Sequence, residues 1–109
     1  MKLPYADQAE VPLRKITEYL LNEAHPQGRA KAAFFKRFGY RGERPEQLQR
    51  DLRELARTSE MMETTHPFGR KYAGVGTLST PDGRQVRVVT VWVLPGDAPP
   101  PVLVTAYPA

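Results

Sequence analysis

Up to Ser59 the apolar residues recur at three- and four-residue steps, and from Met61 onward they alternate, so the chain changes from helical to extended period once. Pro12 suits a first helical position, and Leu13, Ile16, Tyr19 and Leu20 form one face of a helix ending near Leu21 and Asn22. Ala30, Ala33, Phe34 and Phe38 make the stripe of a second, short helix with Gly28 as its N-cap. Gly39 ends it, because only Gly takes the left-handed position at low cost, and Tyr40 can fold back onto the stripe. A third helix opens at Pro45 and Glu46 and runs to about Ser59, with Leu48, Leu52, Leu55 and Ala56 inward. Residues Met1 to Glu10 show no strong period.

The alternating half predicts strands at Met61 to Thr65, Lys71 to Leu78, Gln85 to Val93 and Val102 to Tyr107. His66-Pro67-Phe68-Gly69 reads as the first turn. Thr80-Pro81-Asp82-Gly83-Arg84 is the clearest one, with Pro setting φ and Gly accepting the left-handed position. Gly74 and Gly76 share a face of their strand and leave a shallow groove for close packing. The strand from Gln85 to Val93 is apolar on both faces, as a central strand should be. Helices first and an antiparallel meander second predict an α+β fold, N-terminal helices packed on one face of a four-stranded antiparallel sheet. Length predicts one domain over 1–109, helical over about 11–59 and extended over about 61–107.

Composition then narrows the chemistry. There is no Cys, which excludes disulfides, thiolate metal sites and Cys nucleophiles. The N-terminus holds no apolar run long enough for a signal peptide or membrane span, so a soluble cytoplasmic domain without a membrane partner is expected. Formal net charge is +4, yet between Arg29 and Arg57 nine Lys and Arg stand against four acids, so the helical half carries the excess. Clustered Arg suits a polyanion such as RNA, although a solvated surface looks the same in sequence.

The charges of the second helix are inverted at its front. Arg29 and Lys31 lie in the first turn, where free backbone N–H groups already make a partial positive charge. A bound phosphate would reconcile them, held by Gly28, Arg29 and Lys31 with Arg37 further along; side chains simply extending into water would cost only a few tenths of a kcal/mol. His25 stands a few residues before this site, where a proton-transfer group and a phosphate would be neighbours. His66 is the other imidazole, also in a predicted loop. No phosphate-binding Gly-rich loop, Ser elbow or helical His pair is present, so no metal site and no cofactor is expected.

The segments Leu20-Leu21-Asn22, His25-Pro26, Gly28, Lys31-Ala32, Phe34-Phe35 and Gly39-Tyr40, with Thr90-Val91-Trp92 and Val104-Thr105-Ala106-Tyr107-Pro108, resemble a small uncharacterised bacterial family that also occurs at the C-termini of polymorphic toxins. The resemblance covers nearly the whole chain. More distantly, the order of elements, an early His with a nearby Lys or Arg, and a Thr and an aromatic on the last strand resemble the barnase–EndoU–colicin–RelE class of metal-independent ribonucleases. That resemblance implies cleavage by the RNA 2′-hydroxyl, with His25, Lys31, Thr105 and Tyr107 as catalytic residues and an immunity or antitoxin protein as partner. The rival class is a non-enzymatic module that binds nucleic acid or protein with the same basic helices.

Overall fold

An α-helical turn, Leu13–Lys15, runs directly into a π-helical turn, Ile16–Leu20, and the two together are α1. The computed structural model describes residues 1–67 and 69–109, His66 by its backbone alone; Phe68, read from the sequence as part of a turn, lies outside the described residues. In the π-turn the Leu21 N–H donates to the Ile16 carbonyl at 2.8 Å. Ile16 and Leu20 are buried, but Leu13, expected on the same face, is 44% exposed. Val11 takes the core position ahead of the helix instead.

Helix α2, Arg29–Arg37, buries Ala32 and Phe35. The expected stripe is therefore corrected: Ala30 and Ala33 are exposed, and Phe34 and Phe38 are half-buried. Three alanines and two phenylalanines in nine positions, with Phe38 as the C-cap, put apolar atoms on every side, so the period does not choose the phase. Docking chooses it. The C-terminus is a Schellman motif, with the Gly39 N–H on the Lys36 carbonyl at 3.1 Å, the Tyr40 N–H on the Phe35 carbonyl at 3.2 Å, and Gly39 at φ 100°. Tyr40 packs edge-on against Phe35, ring centroids 6.0 Å apart, and its hydroxyl donates to Asp51 at 2.7 Å. Burial first, and Asp51 second, push the Tyr40 phenol well above its usual range. That bond fixes α2 against α3, Pro45–Thr58, whose Leu48, Leu52, Leu55 and Ala56 are buried as the pattern predicts.

The strands β1 (Glu60–His66), β2 (Gly69–Ser79), β3 (Gln85–Pro95) and β4 (Val102–Pro108) form one antiparallel sheet in sequence order. The fold is α+β, with the helices N-terminal to the sheet. Tyr72, Gly76, Leu78, Val88, Trp92 and Leu103 face the helices. A Cβ on Gly76 would meet Ser59 Oγ and come within 2.8 Å of Leu55, so the end of α3 fills the groove there, while Gly74 lies against Glu60 and Met61 of β1. Thr90 and Trp92 lie in the core, joined by a 2.9 Å bond from the indole N–H to the Thr90 hydroxyl. The lead-in without a period is also structural: Leu3, Ala9 and Val11 are buried, and Glu10 pairs with the outer edge of β4 beside Val102.

At the β2–β3 turn Asp82 accepts from the Thr80 hydroxyl at 2.6 Å and from the Arg84 guanidinium. These bonds, Arg84's foremost, hold its carboxyl at about 2, against an ordinary 3.8. A depressed carboxylate stabilises the fold above its unfolded value and loses that contribution as pH falls through the folded one. The expected result is that Asp82→Asn melts below wild type at pH 6 and that the gap closes between about pH 4 and pH 2, read by circular dichroism. A gap unchanged across that range would remove the role assigned to the turn.

Candidate active site

The π-turn of α1 swings Tyr19 out of the core stripe towards the edge strand β4, as such wide turns commonly do beside functional sites. The edge is prepared to receive it. Glu10 covers β4 as far as Leu103, with the Glu10 N–H on the Pro101 carbonyl at 2.8 Å and the Leu103 N–H on the Glu10 carbonyl at 3.0 Å. Beyond that point the register slips between Val91 and Trp92, pairing Val91 with Thr105 and Trp92 with Leu103, and Val104 becomes the extra residue of a bulge. Bulges re-aim side chains at sheet edges, and here Val104 and Thr105 form one wall of a cleft.

The cleft has a volume of about 830 Å³ and opens to solvent between α1, the 22–28 loop and β4; its lining includes Arg14, Lys15, Tyr19, His25 and Gln27. Tyr19 is its centre. The Lys31 ammonium donates to the Tyr19 hydroxyl at 2.8 Å, and that hydroxyl shares a 3.3 Å bond with Thr105 Oγ1. Lys31 Nζ lies 5.1 Å and Lys15 Nζ 5.5 Å from the Tyr19 ring centroid, and the His25 ring stands edge-on at 5.0 Å. Burial is the largest single influence on the phenol and raises it. The hydrogen bonds from Lys31 and Thr105, with the charges of Lys31 and Lys15, together outweigh burial and leave Tyr19 below the ordinary tyrosine value.

His25 has a structural task as well. Its Nδ1 accepts from the Gln27 and Gly28 N–H groups, each at 3.0 Å, and its carbonyl takes the Arg29 N–H at 2.9 Å. The imidazole thus holds the turn that leads into α2, whose N-cap is Gly28. An accepting Nδ1 assigns the ring proton to Nε2, so the outer nitrogen is a hydrogen-bond donor.

Of the residues predicted from sequence, His25, Lys31 and Thr105 come together around Tyr19. Gly28 is buried against it, and a Cβ there would sit on the Tyr19 carbonyl. Arg29 is exposed on the first turn of α2. Arg37 is at the other end of that helix, about 12 Å along its axis, with its carbonyl occupied by the Arg84 guanidinium. Tyr107 is two residues past Thr105 on β4, outside the cleft lining. The backbone of His66 ends β1, at the far edge of the sheet from β4. Tyr19 itself was missed, because a tyrosine on an apolar stripe reads as core; Lys15 one turn before it and the His25 loop just after it were the available signal.

Among the described residues no three His, Asp or Glu side chains gather as metal ligands, and no helix is long and apolar enough to cross a membrane. No curated protein matches the sequence. In structure the chain is similar to one from a contact-dependent growth inhibition toxin–immunity protein complex of Klebsiella pneumoniae 342, at TM-score 0.72 over 95% of this chain and 96% of that one. The two are 13% identical, so the likeness is one of fold. Residues 2–109 match a single family model from end to end, and the chain belongs to that family, described as Domain of unknown function (DUF6883).

Proposed function

We propose that this protein is a metal-independent endoribonuclease of a toxin system, acting on cytoplasmic RNA, in which Tyr19 moves the proton. The observation that carries the proposal is the Lys31–Tyr19–Thr105 chain, whose Tyr19 and Thr105 line an open cleft, with the phenol displaced downward. A tyrosine with a cation at 2.8 Å is made easier to ionise, which is what a general base needs. His25 is poorly placed for that task. Taking a proton at Nε2 requires an unprotonated Nε2, and moving the ring proton to Nδ1 would break the bonds that hold the turn before α2.

In the proposed reaction the RNA 2′-hydroxyl gives its proton to the Tyr19 oxygen and attacks the adjacent phosphorus. The bond from phosphorus to the 5′-oxygen breaks, water in the open cleft protonates that oxygen, and a 2′,3′-cyclic phosphate remains. Lys31 balances the negative charge that develops on phosphorus, and the His25 Nε2–H donates to a non-bridging oxygen. Thr105 holds the Tyr19 hydroxyl in line. Arg29 and the front of α2 attract the flanking phosphates; Arg37 and Tyr107 have no part in this step. An enzyme that cuts its own cell's RNA also needs a cognate immunity protein.

The test is purified protein with mixed RNA in excess chelator, read as cyclic phosphate ends, with DNA as the uncut control. Salt-sensitive binding without cleavage would give the site to a non-enzymatic module. His25→Asn separates the two tasks of that residue, since its side-chain oxygen can still accept from the Gln27 and Gly28 N–H groups while the Nε2–H is gone. Its melting temperature should stay near wild type while cleavage falls about 10²–10³-fold, as for loss of one donor to a developing oxyanion. His25→Ala should lose stability too, by about 1 kcal/mol, the usual net worth of a lost hydrogen bond. If Asn and Ala variants cleave like wild type, His25 only holds the turn before α2.

A further inference from the structure

The helices cover one face of the sheet and leave the other bare. Pairing and alternation place Met62, Ala73 and Val91 in one row across that bare face, and Val75, Val89 and Tyr107 in the next. A sheet face left in water ordinarily carries Thr, Lys, Glu or Gln at such positions. Here Met62 is 76% exposed, Val75 40% and Tyr107 38%. Val91 is buried yet stands apart from the main core.

The charges around these rows are one-sided. Lys71 stands in the row on one side of the strip, across from Val93, and Arg87 lies on the other side, across from Thr77. Glu60, the acid at the end of the Val75 row, is held by the N-terminal ammonium at 3.0 Å and by Lys2 at 3.7 Å. Glu63 pairs with Tyr72 and so faces the helices, and Asp82 and Asp97 lie in the loops beyond the strand ends. The bare face is thus an apolar strip with Lys71 and Arg87 on its two sides and Glu60 at one end.

We infer that this face docks an acidic partner protein, apolar at the centre of its contact and rich in Asp and Glu at the rim. A second copy of this chain is the poorer occupant, because stacking two such faces brings Lys71 and Arg87 against like charge, and like-charge contacts suppress wrong partners. The face is continuous with the cleft: Thr105 closes the Val91 row and also lines the cleft, beside Val104. A protein seated on the strip therefore overhangs Tyr19 and shuts RNA out. Naming it the immunity protein rests on the proposed function; the surface itself does not.

The probe is the polypeptide encoded beside this chain, purified separately, with affinity measured by calorimetry. Val75→Asp, checked for wild-type circular dichroism, should weaken binding about 30-fold or more, as loss of a central anchor does. Lys71→Glu with Arg87→Glu leaves the strip intact and should weaken it about tenfold, slow association and reverse the salt dependence. Tyr19→Phe should bind like wild type. Absence of binding, or equal binding by both face variants, overturns the assignment, as does a dimer of the chain alone that Val75→Asp abolishes. Tight, face-dependent binding by a protein that cleaves no RNA would sink the proposed function and leave the surface standing.

Discussion

Tyr19→Phe is expected to lower RNA cleavage by about 10²–10⁴-fold, the usual contribution of a general acid or base, with little change in melting temperature. The substitution removes one oxygen and keeps the ring, so the edge-on contact with His25 at 5.0 Å and the positions of Lys15 and Lys31 over the ring survive. Only the chain from Lys31 to Thr105 is cut. The pH profile supplies the sign. A base works when unprotonated, so cleavage should rise with pH and level off once the phenol is ionised, below the ordinary tyrosine value of 10.0. Lys31→Met removes the cation that favours the phenolate and should move the rise to higher pH as well as lowering the plateau. If Tyr19→Phe cleaves within a factor of two of wild type, or if Lys31→Met leaves the profile where it was, proton transfer belongs to another group.

Trp92→Ala is expected to cost about 3–5 kcal/mol, a large part of the 5–15 kcal/mol typical of a whole domain. Trp92 is fully buried on the helix-facing side of β3, paired with Tyr72 on β2 and Leu103 on β4. Truncation would empty the space between sheet and helices and leave the buried Thr90 hydroxyl without the indole N–H it now receives. Urea unfolding gives the measurement, with Trp92→Phe as the milder companion. A loss under 1 kcal/mol would mean that the helices do not depend on this part of the sheet.

How much of this was legible beforehand differs by element. The α3 stripe of Leu48, Leu52, Leu55 and Ala56 was readable because strongly polar residues separate the apolar ones and leave a single phase. The Schellman end at Gly39 and Tyr40 and the Thr80–Arg84 turn were readable because each uses a residue chosen for a backbone angle: Gly39 sits at φ 100° and Gly83 at φ 87°. The α2 stripe was not, since its alanines and phenylalanines fit several phases. The buried Leu3, Ala9 and Val11 belong to a segment with no period at all, and only their partners place them.

The candidate site divides along the same line. Local sequence was enough to mark His25 and the cationic first turn of α2, because inverted charge at a helix front is a local electrostatic anomaly. It also carried the order of helices and strands, since hydrophobic period depends on near neighbours alone. Tyr19, the β4 bulge and the bare apolar face were decided by tertiary structure. A π-turn in α1 and a register slip between β3 and β4 bring Tyr19 to Thr105 across 86 residues of sequence separation, and no periodicity along one strand of chain encodes which face of a sheet its helices will leave open.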